Sequence, residues 1–249
     1  MLPSHTIHSS ERVGQGRVPE YLKRAFRFNL MDFEFALSQM VQLCFAPQSV
    51  FRASKHRKLT KNHWSRDDPA FVVLQILFLI CATLAYVFAF SASLHQVIKF
   101  VIWEVLVHYL LFGMSIATLT WYLSNKYLLT RGLSHSTRQE VEWLHAFDIH
   151  CNAFFPLFLL LYVVQYMLLP ILLTGSFFPR ILANALYAIS FAYYFYITFV
   201  GFLELPILRN QEYFLYPVGG IVILFLLSVV FPFNATIWTL STYFSVHQL

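Results

Sequence analysis

Long apolar runs dominate the chain after residue 69. The first extends from Ala70 to Ala92, where Gln75 is the one strongly polar side chain, and further runs cover about 97–122, 153–174, 181–204 and 213–233. A hydrocarbon core about 30 Å thick requires roughly 20 apolar residues in a helix, and each run is long enough. The pattern therefore predicts an all-α, polytopic membrane protein with five transmembrane helices.

The boundary before the first run carries a helix-start signal, because Asp67 and Asp68 directly precede Pro69. An Asp side chain caps a helix, and Pro is favoured at the first helical position, where its missing N–H has no intrahelical partner. We therefore expect the first transmembrane helix to begin at about Pro69.

Residues 20–45 show a different pattern, in which apolar side chains recur at three- and four-residue steps, as on one face of a helix. We expect an amphipathic helix here, with the face buried either in the cytosolic leaflet or against the bundle's own loops; amphipathicity does not separate the two. The face consists of Leu22, Phe26, Leu30, Phe33, Leu37, Met40 or Val41, and Cys44.

The composition excludes the soluble classes, since 58% of the residues are hydrophobic and 12% are charged, against about 25% charged in a typical globular protein. The order of the segments predicts three parts. Residues 1–19 form a flexible tail, residues 20–66 form a cytosolic amphipathic and basic arm, and residues 67–249 form the five-helix transmembrane domain.

The Lys and Arg residues orient the chain across the membrane. With the N-terminus in the cytosol, 15 of the 17 fall on the cytosolic side, and only Lys99 and Arg180 fall on the other. Positive residues accumulate in cytosolic loops, so the sequence predicts a cytosolic N-terminus and a lumenal C-terminus. The glycosylation triplet at Asn234 then lies on the lumenal side, so close to the membrane that we expect it to stay unmodified.

The basic segment before the first run indicates an anionic partner. Its cations lie next to the membrane and the net charge of the chain is only +5. Both facts favour acidic lipid headgroups over nucleic acid as the partner. The cations expected to bind lipid are Arg52, Lys55, Arg57, Lys58 and Lys61.

Glu104 and His108 lie four residues apart inside the second run. An intramembrane carboxylate is costly unless it is paired or protonated, so the pair is a candidate functional site. Proton-linked or lipid transport through the pair is one hypothesis, and a structural hydrogen bond between helices is the other. We expect the polar faces of the second and fourth runs to point into the bundle; they comprise Glu104, His108, Ser115, Thr118 and Tyr122, and Asn184, Tyr187, Tyr194, Thr198 and Gly201.

Five potential metal ligands precede the third run: Glu142, His145, Asp148, His150 and Cys151. A di-iron site requires a second motif of this kind, which the sequence lacks, so we expect neither metal nor cofactor, and an amphipathic approach to the third helix. The sequence contains no Ser-His-Asp order, Gly-rich phosphate loop or Cys-x-x-Cys pair, and we expect the protein not to be an enzyme.

Six ordered blocks carry a likeness to a known family. They are MDFEFALSQM at 31–40, CFAPQSVFR at 44–52, TKNHWSRDDPAF at 60–71, SNKYL at 124–128, VEWLHAFDIHCNAFFPL at 141–157 and FYITFVGFLELPILRN at 195–210. Through these blocks the chain resembles the uncoordinated-50 homologue family of five-span Golgi membrane proteins.

The resemblance implies residence in the Golgi membrane, vesicle-mediated transport, delivery of receptors to the cell surface, and recruitment of a large Arf guanine-nucleotide-exchange factor. It carries no catalytic residues. Because the blocks gather on the side predicted to be cytosolic, we hypothesise that the arm, the 124–152 loop and the 205–210 turn bind a peripheral partner. The candidate residues are Trp64, Arg66, Asp67, Asp68, Asn125, Lys126, Trp143, Asp148, His150 and Asn152.

Overall fold

The computed structural model describes residues 21, 23–91, 93–130 and 140–244. The predicted tail at 1–19 and the loop cations Arg131 and Arg138 lie outside these residues. A 3₁₀ turn at Phe28–Leu30 precedes the helices. The helices are α1 (Phe33–Phe45), α2 (Pro47–Lys61), α3 (Ala70–Ala89), α4 (His95–Leu128), α5 (Trp143–Leu172), α6 (Phe177–Leu203), α7 (Gln211–Val230) and α8 (Ala235–Phe244).

Helices α3 to α7 are each long and apolar enough to cross a membrane. They confirm the all-α, five-span prediction, and the protein is a multi-pass membrane protein. The end of the bundle that holds α1, α2 and the start of α3 is called the arm end here, and the opposite end is called the far end. Loops after α4 and α6 meet at the arm end, where Arg209 N–H donates to the Leu128 carbonyl at 2.9 Å.

Helix α3 begins at Ala70, one residue after the predicted start. The Asp68 carboxylate accepts the Ala70 N–H at 3.0 Å, which satisfies one of the free donors at the helix start. The same carboxylate accepts the Asp32 N–H at 2.8 Å, just before α1. One side chain therefore fixes the starts of two helices.

Helix α5 lies at the centre of the fold, where it packs along α4, α6 and α1. It begins at Trp143, about ten residues earlier than predicted, and every residue from Leu144 to Phe158 is buried. The segment expected to be an amphipathic approach is therefore core. Asp148, His150 and Asn152 each form a hydrogen bond inside the protein, which a one-sided pattern does not anticipate.

The polar face predicted on α6 is buried at Asn184, Tyr194, Thr198 and Gly201, as expected. The face predicted on α4 is wrong at its arm end, because Ser115, Thr118 and Tyr122 are exposed. The Ser115 hydroxyl donates to the Leu111 carbonyl one turn back, and the Thr118 hydroxyl donates to that of Met114. The hydroxyl protons are satisfied within the helix, and the residues buried on this part of α4 are Gly113 and Ala117.

Helices α1 and α2 form a hairpin whose turn lies beside α6. The Tyr193 hydroxyl donates to the carbonyls of Leu43 at 3.0 Å and Cys44 at 3.2 Å, and the Gln48 amide donates to the Tyr196 hydroxyl at 2.8 Å. Tyr193 precedes the end of α6 at Leu203 by ten residues, about 15 Å along a helix axis. The hairpin turn therefore lies alongside the span, well inside its arm end.

The expected single helix over 20–45 is wrong, because the 3₁₀ turn interrupts it and Asp32 caps a new helix by accepting the Phe35 N–H at 2.8 Å. The face that packs on the bundle overlaps the predicted one in part, since Phe33, Met40 and Cys44 pack on the bundle as expected. The buried residues of α1 are Ala36, Gln39, Met40 and Leu43, whereas Leu37, Val41 and Phe45 form an exposed apolar stripe.

Helix α8 packs against the far end and was not predicted. Asn184 organises its start: the amide donates to the Phe233 carbonyl at 2.8 Å, and the amide oxygen accepts the Ala235 N–H at 2.9 Å. The Asn234 amide donates to the carbonyl of Leu172 at the end of α5, at 2.9 Å. The asparagine of the glycosylation triplet is thus engaged in closing the far end.

Gly201 marks a close contact between α6, α5 and the hairpin. A methyl group at this position would lie 2.9 Å from Ile149 Cγ1 and 3.0 Å from Phe51 Cε1, whereas a methyl at Gly219 on α7 would meet no atom within 4 Å. We expect Gly201→Ala to lower the free energy of unfolding by about 1–2 kcal/mol through overpacking, and Gly219→Ala to leave it unchanged or slightly higher. Thermal unfolding in detergent measures both; equal midpoints would contradict this packing.

The exposed stripe on α1 and the depth of the hairpin turn predict contact with lipid acyl chains. With the native cysteines replaced, a bimane label at Phe45→Cys should be quenched by brominated acyl chains and protected from iodide, because lipid surrounds a span at this depth. A label at Lys61→Cys, at the other end of α2, should show the opposite pattern. Iodide quenching of both labels would exclude an inserted turn.

Candidate functional site

The arm end is organised around the buried guanidinium of Arg66, which is 7% exposed. It donates to the Gln39 amide oxygen at 3.1 Å and to the Asn152 amide oxygen at 2.5 Å. Its backbone N–H donates to the Asp148 carboxylate at 2.5 Å. The Phe71 ring centre lies 4.2 Å from the guanidinium carbon. Arg66 and these four neighbours, called the Arg66 node, tie α1, α3 and α5 together.

A tight turn after α2 delivers Arg66 to this position. Helix α2 ends at Lys61, and the next residue, Asn62, adopts the left-handed conformation with φ 59°. The next residues dock on the start of α5, since the Trp64 N–H and the Ser65 hydroxyl donate to the Glu142 carboxylate at 3.3 and 3.2 Å. The turn is therefore held by the end of α2 and by the start of α5, and Arg66 follows it into the interior.

Asp67 lies at the rim of the node, where Lys61 donates to it at 2.5 Å and His63 approaches it at 3.1 Å. Burial would raise the pKa of this carboxyl, but the hydrogen bond from Lys61 and the charges of His63 and Arg24 hold the pKa below its usual range. Because the pKa is lower when folded, the ion pair contributes fully at neutral pH, and its contribution is lost as the pH falls below the unfolded pKa.

A cavity of about 170 Å³ opens beside the node and is bordered by Lys61 and Asp67 at its rim. Arg57 and Arg66 line its interior, and each has one buried guanidinium nitrogen without a hydrogen bond to any described residue. Buried polar groups normally find partners, so these nitrogens leave hydrogen-bonding capacity next to an accessible surface.

The residues predicted to bind a partner divide between interior and surface. Asn125 holds the 140–142 segment by two hydrogen bonds to the Val141 backbone, Lys126 is exposed and donates to the Tyr122 hydroxyl at 2.6 Å, and Trp143 stacks on Phe147. Asp67 and Asp68 are half-buried. The buried members, which present no surface to a partner in this structure, are Trp64, Arg66, Asp148, His150 and Asn152.

The cations predicted to bind lipid also divide. Arg52, Lys55 and Lys61 are exposed. Arg57 donates to the Ser54 hydroxyl at 2.8 Å and to the Trp64 carbonyl at 3.4 Å, and Lys58 donates to the Asn62 carbonyl at 3.1 Å. Arg57 and Lys58 therefore stabilise the turn that precedes the node.

Two buried glutamines were missed as site residues. Gln39 contributes to the node, and Gln75 on α3 donates to the Cys151 carbonyl at 3.2 Å while accepting the Tyr109 hydroxyl at 2.7 Å. A lone Gln inside an apolar run, as at Gln75, was the available signal, since such a side chain needs an internal partner. Gln39 had no comparable signal, because Ser38 and Gln42 are further polar residues of the same helix.

The potential metal ligands before the third run point to separate partners. Glu142 accepts from Trp64 and Ser65, Asp148 accepts from Arg66, and His150 pairs with the Tyr194 hydroxyl at 2.8 Å. Within the described ranges, no group of three or more His, Cys, Asp or Glu side chains is arranged to hold a metal ion.

The intramembrane pair at Glu104 and His108 is brought together, with His108 Nδ1 lying 3.0 Å from Glu104 Oε2. Its partners come from other elements. The Tyr162 hydroxyl of α5 donates to Glu104 at 2.6 Å, and the Tyr243 hydroxyl of α8 lies 3.1 Å from His108 Nε2. The turns around the pair have π-helical geometry over Trp103–Leu111, a feature frequent at functional sites.

The chain is similar in sequence to known proteins of one family. Residues 21–244 match the UNC-50 family. The unc-50 homologue of Dictyostelium discoideum is 47% identical over 228 residues, covering 91% of this chain and 87% of that protein. The human homologue is 41% identical over 218 residues, covering 87% and 83%. No solved structure matches the chain. The resemblance carried by the six sequence blocks is confirmed.

Removal of the central guanidinium tests the node. We expect Arg66→Ala to lower the free energy of unfolding by about 3–5 kcal/mol, because it leaves buried oxygen atoms and the Asp148 charge uncompensated. Arg52→Ala, an exposed arginine of the same arm, should change it by less than about 0.5 kcal/mol. Denaturant unfolding in detergent measures both.

A second variant separates lost charge from lost packing. Arg66→Met combined with Asp148→Asn removes both charges and retains an acceptor for the backbone N–H of residue 66. Stability should recover in part relative to Arg66→Ala. An Arg66→Ala protein as stable as Arg52→Ala would show that the node does not hold the arm end together.

Proposed function

Because the chain belongs to the UNC-50 family, we propose that it acts as a trafficking adaptor of the early secretory pathway, resident in the Golgi membrane. In this proposal the arm end faces the cytosol and the far end faces the lumen. The protein supports vesicle-mediated transport and the cell-surface delivery of receptors by recruiting an Arf guanine-nucleotide-exchange factor. The role requires no catalytic step.

The observation that carries the proposal is the docked, positively charged surface at the arm end. Arg52, Lys55, His56 and Leu59 recur at helical spacing on the exposed face of α2, and Leu59 is 81% exposed. The Arg66 node and the hairpin contacts hold α2 against the bundle. A partner therefore meets a preformed surface and does not have to order a flexible arm, which lowers the entropic cost of binding.

We assign lipid contacts and partner contacts to different positions along the axis of α2. Phe51 lies against Gly201, near the end of α6. In this proposal Arg52 therefore lies near the level of the lipid headgroups. Lys61 lies farther along α2, beside Asp67 and the cavity at the node. We assign Arg52 and Lys55 to acidic lipids, and Leu59, Lys61 and the cavity rim to the exchange factor.

Recruitment by proteoliposomes tests this assignment. In neutral phosphatidylcholine liposomes, which remove the lipid contribution, Leu59→Glu with Lys61→Glu should reduce binding of a purified large Arf exchange factor by about tenfold or more, because central interface residues dominate binding energy. Lys99→Glu, an exposed cation at the far end, is the matched control and should bind as wild type does.

The experiment tests the assigned surface and recruitment itself separately. Undiminished binding to the double variant, in a protein that elutes and unfolds like wild type, would count against this surface. Binding no greater than to protein-free liposomes would overturn recruitment itself.

The alternative function is proton-linked or lipid transport through Glu104 and His108, and the hydrogen-bonded cluster around this pair favours it. Glu104→Gln discriminates the two, because it lies far from the arm end. The variant should recruit the exchange factor normally if the protein is an adaptor, whereas a proton-linked carrier should lose activity.

A further inference from the structure

A cavity of about 140 Å³ lies in the far half of the bundle, between the spans and helix α8. Helix α8 covers it: Phe244 stacks on Phe90 at the end of α3, with ring centres 4.8 Å apart, and Phe100 packs edge-on against Tyr243 and Phe244. The aromatic side chains that line the cavity are Tyr86, Phe100, Tyr162, Tyr187, Tyr243 and Phe244.

Glu104 is the carboxylate of this cavity, and its hydrogen-bonding partners are an imidazole and a phenol. His108 Nδ1 lies 3.0 Å from Glu104 Oε2, and the indole N–H of Trp103 lies 3.2 Å from His108 Nε2. Tyr162 contributes a neutral hydroxyl to the same carboxylate. No Lys or Arg is among the described residues that line the cavity.

Further acceptors lack partners around the cavity. Gln165 is 3% exposed, and its amide oxygen forms no hydrogen bond of good geometry with any described residue; the same holds for the buried Tyr86 hydroxyl. A buried carbonyl oxygen without a donor is costly. The cavity therefore offers a carboxylate, an unused amide oxygen and several aromatic faces, all of which attract a cation with N–H or N–CH₃ groups.

We propose that this cavity binds an organic ammonium group. A cavity of about 150 Å³ is known to hold a benzene molecule, so the space fits an ethanolamine or choline group. The ammonium would compensate Glu104, and the rings of Tyr243 and Phe244 would cover it. The group is supplied either by the headgroup of a bilayer lipid or by a free amine. The inference is independent of the adaptor function.

The first experiment measures binding by calorimetry with the full-length protein in nanodiscs of phosphatidylglycerol, which contains no amine. The probes are ethanolamine and choline, each compared with a neutral analogue of the same shape, propan-1-ol and 3,3-dimethylbutan-1-ol. At least one cation should bind wild type at least about tenfold more tightly than its analogue, because the analogue lacks the charge. Glu104→Gln should weaken that binding by about tenfold or more, whereas Glu204→Gln, at the arm end of α6, should not.

A second pair of variants keeps the test decisive if Glu104→Gln does not fold. Tyr243→Phe retains the ring over the cavity and should retain binding, whereas Tyr243→Leu removes it and should weaken binding by about fivefold. Equal affinity of both variants would contradict a role for the ring.

The second experiment identifies the source of the amine. The protein is purified from nanodiscs that contain phosphatidylglycerol, phosphatidylethanolamine and phosphatidylcholine, and native mass spectrometry detects the lipid that stays bound. An amine lipid retained by wild type and lost in the cavity variants identifies a lipid headgroup, whereas binding of the free cations alone identifies a soluble amine. Either result supports the proposal. Absence of ammonium binding in both experiments, or equal binding of cations and neutral analogues, overturns it.

Discussion

A buried guanidinium must be paired with acceptors in a low-dielectric interior, and this constraint holds the arm end together. Arg66 meets oxygen atoms from α1 and α5, while its own backbone binds Asp148. Withdrawal of an ion from water costs several kcal/mol unless such partners are present. Because the partners belong to different elements, docking of the arm and burial of Arg66 are a single event. The hairpin, the turn after Asn62 and the start of α3 all take their positions from it.

The two halves of the bundle differ in the groups that surround their buried charged side chains. At the arm end, Arg66 and Asp148 carry opposite charges and the Arg66 backbone N–H donates to the Asp148 carboxylate, while Arg57, Arg66 and Asp148 each keep one buried polar atom without a hydrogen bond to a described residue. In the far half, Glu104 is surrounded by hydrogen-bond donors and aromatic rings, and no Lys or Arg is among the described residues that line its cavity. Opposite buried charges suit a structural role, whereas a carboxylate that lines a cavity suits a ligand. The two proposals made above therefore concern separate parts of the bundle.

The sequence was sufficient for the features that depend on local patterns. Run length identified the five spans, and the Asp-Asp-Pro signal placed the start of α3 within one residue. Sequence patterns failed to predict features that depend on partners distant in the chain. Gln39 and Asn152 meet through Arg66, and 86 residues separate Arg66 from Asn152, so no local spacing could reveal the node. The exposed hydroxyls of α4 misled the face prediction because their own helix satisfies them. Helix α8 was missed because it is too short to resemble a span.

The distance along the chain between the members of the node has a consequence for synthesis. Arg66 precedes Asp148 by 82 residues, so the first two spans leave the ribosome before the acceptors on α5 exist. Proteins emerge from the ribosome N-terminus first. The arm therefore remains undocked until the third span has been synthesised. A product that stops before α5 would contain the whole arm sequence without its shape. Under the proposed function, the surface assigned to the partner is docked only after more than half of the chain has been translated, and its recognition would select a correctly assembled protein.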